Sequence, residues 1–85
     1  MNDKIRYILE RLPDKSHLID LLMEKDPEFV AICEDYNDCV NALWYWGRSK
    51  APEAEIRVKE YRTLVEGLEE EIHWALEAFN PRRLD

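Results

Sequence analysis

The sequence predicts an all-α protein: an antiparallel two-helix hairpin, coiled-coil-like in its packing, with a short N-terminal helical arm. Three observations carry this expectation. Only 2 of the 85 residues are glycine while 36% are charged, a composition that suits long helices with solvated faces. Pro13, Pro27, Pro52 and Pro81 punctuate the chain, each biasing the residue before it away from helix. Between the last two, Ala54, Val58, Tyr61, Val65, Leu68, Ile72, Ala75 and Phe79 alternate spacings of four and three, the pattern of a coiled-coil seam.

A single helical domain over 1–85 follows from the length, since a chain this short holds one core. Its first segment, 1–25, reads as short helices. Ile5, Ile8, Leu9 and Leu12 fit the spacing of an amphipathic turn or two, and Leu18, Leu21 and Leu22 repeat it after Pro13, with Asp14 or Ser16 as a cap. Asp26-Pro27-Glu28 is an N-cap, a first helical position and a dipole-matched acid, so a first long helix is expected over 27–47, with Gly47 as its stop. Ser49 to Pro52 reads as a turn, and Pro52-Glu53 as the opening of a second long helix over 52–79, which Asn80-Pro81 ends.

Phe29, Ile32, Tyr36, Cys39, Leu43 and Trp46 repeat the seam pattern in the first long helix, so the two helices are expected to zip together. Val30, Cys33, Asn37, Val40 and Trp44 form a second, adjacent row, wider than one partner helix can cover. Its cover is either the N-terminal arm folding back or a second subunit. Of the aromatic triplet Trp44-Tyr45-Trp46, only Trp46 falls close to the seam at about 100° per residue. The expected interaction surface is therefore Val30, Cys33, Val40, Trp44 and Tyr45, used for self-association into a dimer or higher homo-oligomer, or for another protein partner.

Other functions are disfavoured by composition. A formal net charge of −7 is repelled by a phosphate backbone, so no nucleic-acid partner is expected. No apolar run approaches the roughly 20 residues of a membrane span, and Met1-Asn2-Asp3-Lys4 opens no apolar signal-peptide core, so a cytoplasmic protein is expected. Cys33 and Cys39 lie roughly 9 Å apart by helical rise, too far for a disulfide, and read as reduced core thiols. No phosphate loop or dinucleotide fingerprint is present, and Ser16, His17 and Asp20 read as helix-start chemistry rather than a catalytic cluster, so a non-enzyme without cofactor is expected. Glu66, Glu69, Glu70, Glu71 and Glu77 read as a solvated acidic face. The alternative reading is a metal- or redox-responsive bundle using Glu70 and His73 across subunits, with Glu34, Asp35 or Asp38 as further ligands, or Cys33 or Cys39.

Leu12-Pro13-Asp14, Leu18-Ile19, Leu22, Asp26-Pro27-Glu28-Phe29, Tyr36-Asn37 and Leu68-Glu69-Glu70-Glu71-Ile72 fall in an order and spacing that resembles the YdcH-like family of small bacterial helical hairpins of unknown function. The resemblance runs from Leu12 to Leu76 and implies a fold, with no family catalytic or binding residue to carry over. The chain departs from it at the aromatic triplet and at Glu69, where family members carry Lys.

Overall fold

A computed structural model of the chain describes residues 5–79, and over these the fold is all-helical, without strands. Helix α1 spans Arg6–Arg11, α2 Ser16–Lys25, α3 Pro27–Arg48 and α4 Ala54–Ala78, with a 3-10 turn at Pro13–Lys15 between the first two. The Asn80-Pro81 stop and the opening Met1 to Lys4 lie outside the described residues.

Local chemistry sets the ends of α3. The Asp26 carboxylate accepts from the Glu28 and Phe29 backbone N–H groups at 3.0 and 3.4 Å, and Pro27 occupies the first helical position, where a missing donor costs nothing. At the other end Gly47 does not stop the helix. It has no positive φ, and α3 continues to Arg48 with extended Ser49 as its cap. The second long helix likewise starts later than Pro52-Glu53. Ala54 donates to the Ala51 carbonyl at 3.1 Å and Ser49 Oγ accepts from Ala51 N–H at 3.1 Å, so Pro52 is the second residue of a turn, the position its fixed φ favours. Neither Asp14 nor Ser16 caps α2, because the chain enters it through the 3-10 turn, and the Ser16 N–H is already bonded to the Pro13 carbonyl.

Helix α4 packs along α3. Every seam position of α4, from Ala54 to Phe79, is buried or half-buried, as are Phe29, Ile32, Tyr36, Cys39, Leu43 and Trp46 of α3. The N-terminal arm supplies the remaining packing. Ile5, Ile8, Ile19 and Leu22 join Phe29, Cys33, Tyr36, Ile72 and Leu76 in one core. The packing unit at this end is thus α1 and α2 laid on the long pair, because the second apolar row of α3 needs a cover that α4 alone does not give. The molecule is a rod of 55 × 23 × 21 Å.

Polar contacts orient the arm. Asn37, buried within this face, accepts from the Tyr7 backbone N–H at 3.3 Å, and the Tyr7 hydroxyl donates to Asn41 Oδ1 at 3.0 Å. Glu69 is not simply a member of a solvated acidic face. Its Oε2 accepts from the Tyr36 hydroxyl at 2.7 Å and pairs with Arg11 Nε at 3.2 Å, tying α1, α3 and α4 at one point.

Two outcomes test these assignments. Glu69→Ala should lower unfolding free energy by about 1–2 kcal/mol, mainly through the orphaned Tyr36 hydroxyl, whereas Arg11→Ala, which removes an exposed pair, should cost less than about 1 kcal/mol. Urea unfolding of both variants measures this, and equal losses would contradict it. A Cβ added at Gly47 meets nothing within 4 Å, so Gly47→Ala should leave stability unchanged or raise it by up to about 1 kcal/mol. A helix-ending left-handed glycine would instead lose stability on that substitution, visible as a lower thermal midpoint.

Candidate functional site

The surface left uncovered follows from the reach of the arm. Helices of 6 and 10 residues span roughly 9 and 15 Å, whereas the 22 residues of α3 span roughly 33 Å, so the far end of α3 stays bare. Of the residues expected on the interaction surface, Cys33 is fully buried and Val40 packs half-buried against the core. Val30 is also half-buried. At Cys33 and Val40 the apolar cover comes from the chain's own core, in which Ile5, Ile8, Ile19 and Leu22 of the arm take part. Trp44 and Tyr45, beyond the arm, are 59% and 63% exposed. The Tyr45 ring meets the half-buried Trp46 edge to face, with centroids 5.1 Å apart at 86°. Leu43, Trp44, Gly47, Arg48, Val58 and Arg62 line an open groove of about 460 Å³ at this end.

A second apolar surface lies on α4. Trp74 is 80% exposed, the most open of the large hydrophobic side chains, and Ile56 and Leu64 are also exposed. Trp74 lines an open groove of about 810 Å³ together with Ile32, Gly67, Glu70, Glu71, His73 and Ala75. The expected interaction surface did not include Ile56, Leu64 or Trp74, although Ile56 could be expected, with Pro52, under Trp44 and Tyr45. Their signal was present: Ile56, Leu64 and Trp74 are the large apolar residues of α4, with buried Leu76, that fall off the seam. On a helix needing only one packed stripe, off-seam apolar residues mark either a second cover, as α2 supplies for Leu76, or an open face.

Glu70 and His73 share the α4 groove, yet among the described residues no group of three or more His, Cys, Asp or Glu side chains is placed to hold a metal ion. Ser16, His17 and Asp20 are all exposed on α2. Burial, and secondarily the Glu34 carboxylate, pushes the Cys33 thiol up to about 12. Burial with Asp35 and Asp38 raises Cys39 as well. Both thiols are therefore protonated at neutral pH, the form that is a poor nucleophile and a poor metal ligand. No helix of the described residues is long and apolar enough to cross a membrane.

Compared with protein-family models, curated proteins and solved structures, the chain finds no match.

The raised thiol and phenol values have a stability consequence. Burial and the Glu69 carboxylate raise Tyr36 above its ordinary 10.0, in the same direction as Cys33 above its ordinary 9.0. Each group favours its protonated form when folded, so its contribution is present below the unfolded value and is lost as pH climbs toward the folded one. Stability should therefore hold near neutrality and fall from about pH 9 upward, read as denaturant midpoints between pH 7 and 11. A flat profile would mean that neither group is buried as described.

Proposed function

We propose that the protein is a self-associating structural or protein-interaction module, with the α3/α4 pair acting as an antiparallel, coiled-coil-like hairpin that presents contact surfaces. One observation carries this reading: Trp44, Tyr45, Ile56, Leu64 and Trp74 are each at least half exposed in a chain of 85 residues. Aromatic side chains offer on the order of 150–250 Å² each to a contact, and their exposure costs free energy that a partner recovers. Single exposed apolar residues need no explanation, but three aromatics bordering or adjoining two open grooves do. Bond-making chemistry has no support of comparable weight: the Cys33 thiol and the Tyr36 phenol are buried in their protonated forms, and Ser16, His17 and Asp20 lie exposed.

Solution molar mass by light scattering over a dilution series, with tryptophan emission on the same samples, tests the proposal. A dimer or larger species whose emission shifts to the red on dissociation is the expected result. A monomer at every concentration, with red emission throughout, would exclude self-association and leave a different protein as the partner.

A further inference from the structure

We propose that the outer face of α4 is covered by α4 of a second copy, running antiparallel about a twofold axis near residues 64 and 65. This rests on the self-association reading above and adds the face, the orientation and the charges that set it. Ile56 and Trp74 are eighteen residues apart, which is five full turns at 3.6 residues per turn, so they stand on one line of the helix, roughly 27 Å apart. Gly67 lies about 20° from that line. In the antiparallel pairing Ile56 of each copy meets Trp74 of the other, and Thr63 and Gly67 meet at the crossing.

Gly67 points to a close approach there. It sits inside a 25-residue helix, where glycine is unfavourable relative to alanine, and an added Cβ would meet nothing within 4 Å. Nothing inside the chain requires it. A second helix backbone passing over that position is the circumstance in which the missing side chain is useful.

Charge selects both the occupant and its direction. The first half of α4 carries Arg57, Lys59 and Arg62 with Glu55 and Glu60, Arg57 being paired with Glu60 at 2.9 Å, whereas from Glu66 to Ala78 it carries Glu66, Glu69, Glu70, Glu71 and Glu77 and neither Lys nor Arg. A parallel copy would lay acid on acid along half the helix. An antiparallel copy lays the half that holds all three cations of α4 on the acidic half twice over, and a twofold axis keeps each flank facing its own equivalent: Lys59 with Glu70 on one side, Glu71 beside the Arg57–Glu60 pair on the other. Complementarity of this kind is intrinsic to a second copy of the same chain.

The test is the dissociation constant of full-length variants, by sedimentation at several loading concentrations, with helix content checked by circular dichroism. Trp74→Glu, at an 80% exposed position that the monomer does not pack, should keep its helix content and weaken association at least about tenfold. Trp44→Glu, on the turn end of α3, should weaken association less than Trp74→Glu does. Lys59→Glu and Glu70→Lys should each weaken it about three- to tenfold, and the double variant should recover wild-type affinity, since the reversed charges again meet across the axis. Loss of association in Trp44→Glu but not Trp74→Glu would overturn the assigned face while leaving self-association standing. Additive losses in the double variant would overturn the antiparallel pairing. A wild-type chain that is monomeric throughout would remove the underlying reading as well.

Discussion

The packing of Ile8 and Ile19 against Phe29, Cys33 and Ile72 is the interaction on which the rest of the molecule depends. Helices as short as α1 and α2 are marginal in water, and they persist because one apolar face of each is removed from solvent by the long pair. The benefit is mutual, since the same contact covers the second apolar row of α3. Each fully buried side chain of this size contributes about 1.5–3 kcal/mol, large against the few kcal/mol of net stability a small domain retains. The arm is short, however, and its cover ends before Trp44. The division of the rod into a closed end and an open end is therefore set by the length of the arm.

Electrostatics follow the same division. At the closed end Glu69 is held by the Tyr36 hydroxyl and Arg11, a bond geometry that fixes where α1 crosses the long helices. The rest of the acidic run on α4 remains at the surface beside Trp74, while the cations of α4, Arg57, Lys59 and Arg62, lie in its first half among Glu55 and Glu60. The contact proposed along the outer face of α4 would use this uneven distribution of charge. Steering by such charges acts on orientation and encounter rate more than on raw affinity, so the aromatic residues would supply most of the binding free energy.

Among the described groups, the buried titratable ones do structural work. Cys33 sits as a small apolar group in the core, and Tyr36 combines ring burial with one satisfied hydroxyl. No buried side-chain nitrogen or oxygen among the described residues lacks a hydrogen-bond partner. The polar groups of this core are thus satisfied by partners within the chain.

What the sequence by itself determined was the helical class, the α3/α4 seam and the start of α3. Those rest on local or strictly periodic physics: the heptad-like spacing from Ala54 to Phe79, and the Asp26 carboxylate reaching N–H groups two and three residues on. The second row was legible too, as an apolar face in need of cover. What covers it was decided only in three dimensions, because the arm and another subunit offer that row the same kind of surface and differ only in chain geometry. The tertiary structure closed Cys33 with the arm, engaged Glu69 through Tyr36, and turned Pro52 into a turn residue through the Ala51–Ala54 hydrogen bond. It also moved attention to Trp74, whose exposure depends on which faces of α4 the arm reaches, a matter of long-range packing that no spacing along the chain encodes.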